Sequence, residues 1–541
     1  MASADGVISP SFHNQIATTQ LKLGWVLIMT GIIFWAVIRP EKILHALCHG
    51  QDSTFLLLAS GVTFVIGWFV QEYVFAGIPH VTDAISHMFQ ARIFSHGRLF
   101  APAPECPDAF YQYHILMTHS GMWFTKYTPG HAILLAAGMT IGLISVVVPL
   151  SAAATTWLLG RVVLRYESTT FVRVFLLLYA LSPLGILLSA SYMSHYPALC
   201  MAVAGIYFLE KTLTSPRIKG VANHAMLSGF FFVFSAMIRP HEFLMIGLVG
   251  FLFFCTLPRT TWLNFFKALP MVALGALPVL TFWGYWNIRM YGDAMAIGYG
   301  FSGDDVIHSP FQGSFGFNEN FGFRQALGVF IWNLDRINRA LFGWPVSLFF
   351  IPFALLKRPA KIDLVAWLGM SVVIGVYFFY DYRAEYESRY YFLALAPMAF
   401  LTSRGIQTIL NIRINLAWRY FAGNLVTGLV GAFYLHAAVN YWPDQIIPTY
   451  KNHYYFASPM IHEKVQATGI TNAVILIHPP DGNRFVYSSG FIYNDPMLTN
   501  DIVYARFHPD WVYCLKRSFP KRAFYLYEGS EDGSGNIISA D

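Results

Sequence analysis

The chain has 541 residues, of which 56% are hydrophobic and only 12% are charged. A soluble domain carries about 25% charged residues, so this composition excludes an ordinary cytosolic enzyme. The formal net charge of +6 would suggest nucleic-acid binding in a soluble protein. In a membrane protein the basic residues are topology signals instead, and we expect no nucleic-acid partner.

The chain begins with a polar tail, residues 1–22, which lacks the basic region of a secretory signal. The apolar run that follows has no small-residue cleavage site at its end, so we expect it to remain as a membrane span. Other uncharged stretches of about 18 residues or more predict further spans and exclude a single anchor on a globular domain. About twelve spans are predicted, near residues 23–38, 55–75, 142–163, 172–189, 195–209, 222–238, 241–257, 269–286, 342–356, 363–380, 391–402 and 420–438.

Lys and Arg gather in the short loops on one side of these spans, which makes that side cytoplasmic by the positive-inside rule. The opposite side carries two long segments, residues 77–131 and 287–341, and the polar region 441–541. Apolar runs separated by Pro and Gly in that last region predict a small α/β domain. The predicted fold class is an all-α polytopic membrane protein in which residues 23–440 form the transmembrane domain, with a small C-terminal α/β domain, residues 441–541, on the non-cytoplasmic side.

The five cysteines show no CxxC pattern, so neither a metal knuckle nor a redox pair is predicted. Cys106 and Cys514 fall on the same side of the membrane in this topology. Cysteine connectivity cannot be deduced from spacing, and we expect two free thiols here.

Asp83 follows soon after a hydrophobic span, and apolar residues recur behind it at helical spacing. This pattern predicts a carboxylate at the start of a surface helix next to the bilayer. Such an aspartate could cap the helix, because Asp is among the best N-cap residues, or it could act as a general base. The two roles can coexist.

Lys126 stands just before a Pro129-Gly130 turn that opens an apolar helix. A lysine at a membrane surface can bind phosphate as a compact point charge. The alternative is a lysine that snorkels to the interface among aromatic residues.

Several motifs occur in a particular order along the chain. Asp83 and the Phe89-Gln-Ala-Arg92 helix precede His96-Gly-Arg-Leu99, and Lys126-Tyr-Thr-Pro-Gly-His131 opens an apolar helix. This order resembles the bacterial GT-C membrane glycosyltransferases related to protein O-mannosyltransferases and to the aminoarabinose transferases that modify lipid A. Further agreement comes from Met193-Ser194-His195, Arg239-Pro240, Tyr291-Gly292-Asp293, Glu387-Ser388-Arg389-Tyr390-Tyr391, Asp501–Arg506 and Phe519–Arg522.

The resemblance implies a transferase that moves a sugar from a polyprenyl-phosphate donor to a glycan, lipid or protein acceptor in a single displacement with inversion. It places the protein in the bacterial inner membrane with the active site facing the periplasm. Asp83 would be the general base, and Lys126, Arg239 and Arg389 would bind the donor phosphate.

The chain departs from the family pattern at Ala84, where relatives usually carry Glu. A hard cation needs several oxygen ligands, and Ala84 supplies none beside Asp83. A divalent cation therefore has weak support, and no cofactor is firmly implied. Further acidic ligands could approach only through the fold: Asp293, Asp304, Asp305 and Glu387.

Additional candidate residues are His87, His131 and His195, together with Asp293 and Glu387. His87 could be an imidazole oriented by Asp83 or a partly exposed structural histidine. His195 lies at a turn between apolar runs. Its imidazole could form hydrogen bonds with the backbone, or it could contact the donor. The histidines of this segment lack HxxxH spacing, so no zinc site is predicted.

Arg239 and Arg389 border long apolar stretches, where an ionisable side chain is costly and therefore suggests function. For each, a partner carboxylate or an interfacial anchor is the alternative.

Two other classes of function compete with the transferase. A transporter or flippase would place ionisable groups near mid-bilayer, whereas the charges here cluster at span ends. An inert membrane scaffold that binds glycan is the second alternative, because Ala84 replaces the acid that the transferases usually carry at this position. Release of polyprenyl phosphate from a labelled donor would occur only with the enzyme.

Overall fold

The computed structural model describes residues 51–214, 218–298, 306–307, 316–317, 320–382, 389–412, 416–451, 457–479, 486–530 and 532–540. The predicted first span at 23–38 lies outside these residues, as do Asp304, Asp305 and Glu387.

Helices dominate the described chain. Those before residue 300 are α1 (Asp52–Tyr73), α2 (Thr82–Ser95), α3 (Gly130–Thr140), α4 (Val147–Val163), α5 (Thr169–Ala180), α6 (Pro183–Ala190), α7 (His195–Thr214), α8 (Ile218–Ile238), α9 (Pro240–Phe254) and α10 (Arg259–Tyr291). Those after it are α11 (Phe323–Ala340), α12 (Lys361–Phe378), α13 (Leu395–Leu410), α14 (Leu416–His436), α15 (Ile447–Tyr450), α16 (Met460–Ala467), α17 (Ser488–Phe491) and α18 (Pro509–Ser518).

Seven helices in the described part of the chain are long and apolar enough to cross a membrane, or eight if α5 and α6, which meet at a 57° bend, form one span. The protein is therefore an integral multi-pass membrane protein. The predicted spans at 241–257 and 342–356 coincide with shorter apolar helices, α9 and the 3-10 helix Ser347–Leu356. The predicted span at 195–209 lies within α7, which is not among the candidate spans. The count of twelve stays a prediction.

The chain divides into two compact units. One comprises Met1–Leu56, Val163–Gly185 and Glu319–Pro448. Within it, Arg404 on α13 forms ion pairs with Glu167 and Asp363, and none of the three side chains is more than 10% exposed. A buried cation thus has two carboxylate partners, as burial of charge requires.

The second unit comprises Leu57–Val162, Ile186–Asn318 and Thr449–Asp541. Its helix α8 packs against α7 and α10. A Cβ at Gly229 of α8 would overlap the carbonyl of Val272 on α10, and a Cβ at Gly275 of α10 would overlap the carbonyl of Met226 on α8. Small residues allow the backbones of membrane helices to approach in this way.

A three-stranded antiparallel sheet follows α2 and was not predicted. Its strands are β1 (Ala101–Pro102), β2 (Ile115–Met117) and β3 (Met122–Thr125), in the order β1-β3-β2. The strands are only two to four residues long. An apolar alternation this short gives little signal above the surrounding hydrophobic sequence.

The C-terminal region contains a second sheet, whose strands are β4 (Ala473–His478), β5 (Ile502–Arg506), β6 (Ala523–Glu528) and β7 (Asn536–Ser539). Their order in the sheet is β5-β4-β6-β7. Strands β4, β5 and β6 run parallel, and β7 is antiparallel to β6. The mixture of strands and helices agrees with the α/β expectation, whereas the independence of this region as a domain and its side of the membrane stay predictions.

The C-terminal sheet shares one hydrophobic core with the segment that follows the first described span. Ile85 and Phe89 of α2 and Trp123 of β3 pack in the same cluster as the residues of β4 and β5. Burial of this apolar surface fixes α2 relative to the sheet within the second unit.

The expectation of two free thiols at Cys106 and Cys514 is wrong. The two cysteines form a disulfide, with their Cα atoms 6.0 Å apart. They are separated by 408 positions, so only the tertiary fold brings the two together.

Candidate active site

Asp83 is the second residue of α2 and does not cap it. Val81 occupies the N-cap position with an extended backbone and makes no side-chain cap. The N-cap interpretation of Asp83 is therefore wrong. Instead, the hydroxyl of Tyr127 donates a hydrogen bond to Oδ1 of Asp83.

Helix α2 is buried along most of its length, so the expectation of a surface helix is also wrong. The polar residues of its motif hold neighbouring elements in place. Gln90 accepts a hydrogen bond from the amide of Thr125 at 3.1 Å, and Arg92 donates to the carbonyl of Asn494 at 2.9 Å. The Gln-Ala-Arg sequence thus positions the helix that carries Asp83.

Lys126 is only 9% exposed, and its Nζ lies 5.3 Å from the centre of the Tyr127 ring. Burial lowers the pKa of Lys126 to about 8, and the nearby Asp83 carboxylate offsets part of that change. A snorkelling lysine would keep its ammonium group in water, so that alternative does not fit. The buried cation and the carboxylate of Asp83 belong to the same site.

The turn after Lys126 is fitted closely to the end of α8. Thr128 donates a hydrogen bond to the carbonyl of Ile238 at 3.2 Å. A Cβ at Gly130 would come within 2.9 Å of the backbone at Met237 and Ile238, so a larger residue would force the segments apart. This packing places the start of α3 beside Arg239.

His87 and His131 line the same site. Their rings pack edge to face at 4.9 Å, and the His87 ring lies 4.7 Å from that of Tyr127. Both are fully or almost fully buried, so the expectation of a partly exposed His87 is wrong. Burial, followed by the influence of His131, lowers the pKa of His87 well below its usual range despite the opposing effect of Asp83.

The tautomer of His131 follows from its hydrogen bond. Its Nε2 lies 2.9 Å from the carbonyl of Tyr192, which can only accept, so Nε2 carries the proton. The Nδ1 atoms of His87 and His131 are buried and make no hydrogen bond among the described residues. The Nδ1 of His131 is therefore a buried acceptor that has no donor among the described residues.

Arg239 has a buried carboxylate partner, Glu242, that was not predicted from the sequence. Its Nε lies 2.5 Å from Oε1 of Glu242, the two residues being three positions apart. Nη1 donates to Ser194 Oγ at 3.0 Å. His195 is almost completely buried, and its Nε2 lies 3.9 Å from the same Glu242 oxygen. The alternative that Arg239 pairs with a carboxylate is therefore confirmed.

The predicted site residues do not all belong to the second unit. Arg389 belongs to the other unit, where it is 6% exposed and lies 5.3 Å from the Tyr390 ring. Asp293 is exposed and accepts a hydrogen bond from the amide of Met295 at 2.7 Å, as a turn residue does. Among the described residues, no group of three or more His, Cys, Asp or Glu side chains is placed to hold a metal ion.

An apolar groove of about 450 Å³ lies in the same unit. Phe230 and Phe234 of α8 and Phe282 of α10, both candidate spans, form part of its wall. Phe94 and Arg98 lie at the end of α2 and just beyond it, and Ile133 comes from α3. The helices that carry Asp83 and His131 therefore also line the groove.

No family model matches the chain, and no curated protein matches it in sequence. Its fold is similar to the crystal structure of ArnT from Cupriavidus metallidurans bound to undecaprenyl phosphate, with a TM-score of 0.55 and 10% identity over 88% of this chain and 93% of that one. The apo structure of the same protein gives a TM-score of 0.53 and 11% identity over the same shares of the two chains.

This is the GT-C fold. The similarity in fold extends over most of both chains and confirms the resemblance that the order of motifs indicated.

Proposed function

We propose that the protein is a glycosyltransferase that moves a sugar from a polyprenyl-phosphate donor to the hydroxyl or amine of an acceptor. The reaction takes place at the periplasmic face of a bacterial inner membrane. The observation that carries this proposal is the pairing of Asp83 with Tyr127 beside the buried cation of Lys126, in the fold of a protein solved with undecaprenyl phosphate.

Asp83 acts as the general base. As the acceptor attacks the anomeric carbon, its proton passes to the Asp83 carboxylate, and the bond from that carbon to the phosphate oxygen breaks. The bonding electrons leave with polyprenyl phosphate, so the displacement inverts the configuration. A positioned base contributes typically 10² to 10⁴-fold to the rate.

The departing phosphate gains negative charge, which buried cations stabilise more strongly in the transition state than in the donor. Lys126 and Arg239 lie in the unit that contains Asp83 and are the first candidates for this role. Arg389 remains the third proposed phosphate ligand. A guanidinium offers phosphate a planar pair of donors, which an ammonium cannot.

The isoprenoid chain of the donor occupies the apolar groove. Asp83 and Phe94 lie near opposite ends of α2, and eleven residues of helix span about 16 Å. A lipid phosphate bound near Asp83 can thus direct its chain toward the groove, whose lining by α8 and α10 suits an apolar occupant.

The imidazoles of His87 and His131 suit the recognition of sugar or acceptor hydroxyls. Both rings are buried close to Tyr127, and the low pKa of His87 keeps it neutral, so it offers a hydrogen bond without adding charge beside Asp83.

A direct test uses purified protein and a polyprenyl-phosphate sugar labelled in both the sugar and the lipid. With acceptor or water present, the transferase releases polyprenyl phosphate. A transporter in liposomes moves the intact donor, and a scaffold only binds it. The Asp83→Asn protein is the control. If the parent protein releases no more polyprenyl phosphate than this control with lipid, glycan and peptide acceptors, the proposal is overturned.

A further inference from the structure

The ion pair between Arg239 and Glu242 lies at the start of α9. Arg239 occupies the N-cap position, and Pro240 begins the helix. The side chains of Arg239 and Glu242 are 12% and 4% exposed, and Nε lies 2.5 Å from Oε1. The contact is a close ion pair between two side chains that are largely shielded from water.

The guanidinium is held from several directions. Nε lies against the Glu242 carboxylate in the ion pair, while Nη1 donates to Ser194 Oγ at 3.0 Å and Nη2 to His241 Nε2 at 3.2 Å. Three nitrogens of one planar group therefore have separate partners, which fixes the orientation of the plane. Among these partners only Glu242 is a carboxylate.

A carboxylate this close to a phosphate-binding arginine has a cost for phosphate binding. Its negative charge repels the phosphate and offsets part of the attraction of Arg239. Burial makes the repulsion stronger than it would be in water, since screening by solvent is weak. An arrangement selected only for tight binding of phosphate would not place a buried carboxylate here.

We propose that Glu242 is a positioning residue that holds Arg239 toward the donor phosphate and limits how tightly the product polyprenyl phosphate is retained. This inference rests on the proposed function. The product dianion carries more charge than the donor diester, so the repulsion from Glu242 acts most strongly on the product. Glu242 thereby speeds release of a product that Lys126 and Arg239 would otherwise retain, and product release often limits turnover.

The test is Glu242→Gln, which keeps the size of the side chain and an oxygen that can accept from Arg239 Nε. The dissociation constant for undecaprenyl phosphate should fall by about 10-fold, and kcat should fall by a similar factor. Glu242→Asp keeps the charge but draws it back from Nε, so it should tighten binding less, by about 2- to 3-fold. A purely structural role predicts weaker or unchanged binding in both variants, and that result would overturn the inference.

Two controls separate the possible causes. In an Arg239→Gln background, Glu242→Gln should still tighten binding, because the charge of Glu242 repels the phosphate directly. An unchanged affinity in that background would contradict the repulsion. Glu167→Gln removes a buried carboxylate partner of Arg404, to which we assign no part in donor binding, and it should leave the affinity unchanged.

Failure of this inference is distinguishable from failure of the proposed function. If the parent protein releases polyprenyl phosphate from the donor and binds undecaprenyl phosphate, but Glu242→Gln does not bind more tightly, only the role of Glu242 is wrong. If the parent neither transfers sugar nor binds undecaprenyl phosphate, the proposed function itself is wrong.

Discussion

The hydroxyl of Tyr127 donates a hydrogen bond to the carboxylate of Asp83, across 44 positions of the sequence. The tyrosine directly follows Lys126, so one short segment supplies both a buried cation and the group that orients the carboxylate. The backbone carbonyl of Lys126 is in turn held by the hydroxyl of Tyr291 at 3.2 Å. Asp83 is thus oriented by a segment that is itself fixed to α10.

Removal of the Tyr127 hydroxyl should slow transfer without preventing donor binding. Tyr127→Phe keeps the ring that packs on His87 and deletes only the donor to Asp83. Loss of a hydrogen bond to a charged group costs about 1.5 to 3 kcal/mol, so kcat should fall by roughly 10- to 150-fold. The affinity for undecaprenyl phosphate should remain close to parental. Tyr513→Phe is the matched control, since Tyr513 is 80% exposed, and parental kcat in Tyr127→Phe would contradict this role.

The pH dependence of donor capture should follow Lys126. Its pKa is lowered to about 8, so the ammonium cation is present below that pH and is lost as the pH rises through it. If the cation binds the donor phosphate, kcat/KM for the donor should decline above about pH 8. Lys126→Arg keeps its charge throughout and should remove this decline while lowering the maximum value. An identical alkaline limb in both proteins would assign the titration to another group.

Arg389 should be required for donor binding, and lysine should replace it poorly. A guanidinium that contacts phosphate through two nitrogens loses one contact and its planar geometry in Arg389→Lys. The dissociation constant for undecaprenyl phosphate should rise by roughly 10- to 150-fold in Arg389→Ala, as expected for the loss of a charge-assisted bond. Arg336→Ala, which removes an arginine stacked on Trp332, serves as the comparison. Parental affinity in both Arg389 variants would make this residue an interfacial anchor.

Reduction of the Cys106–Cys514 bond should destabilise the C-terminal region. In the unfolded, unreduced protein Cys106 and Cys514 should resist alkylation, and after reduction mass spectrometry should detect two more alkylated cysteines. Removal of a native disulfide costs about 2 to 5 kcal/mol, so Cys106→Ser should lower the unfolding temperature. Cys200→Ser, at a buried free thiol, is the matched control. Alkylation of both residues without reductant would show that the bond is absent. Such a bond requires an oxidising compartment, which agrees with the proposed periplasmic side.

Hydropathy was sufficient to locate most of the membrane helices, because a long run without charge has few alternatives to a span. It did not reveal that α2 is buried. The spacing of Met88, Phe89 and Ile93 indicates one apolar face, but the C-terminal region covers further faces from almost 400 positions away. The pairing of Asp83 with Tyr127 and the disulfide likewise depend on the tertiary fold. Glu242 was different, since its position three residues after Arg239 was a readable signal for a helical ion pair.

The central claim is that Asp83 accepts the proton of the acceptor, and the transfer rate of Asp83→Asn tests it most directly. Asparagine keeps the shape of the side chain and can still accept a hydrogen bond from Tyr127, but it cannot take up a proton at neutral pH. The variant should melt like the parent and bind undecaprenyl phosphate with parental affinity. Its transfer rate at saturating donor should be lower by about 100-fold or more. A rate close to parental would contradict the account and leave Asp83 as a structural partner of Tyr127.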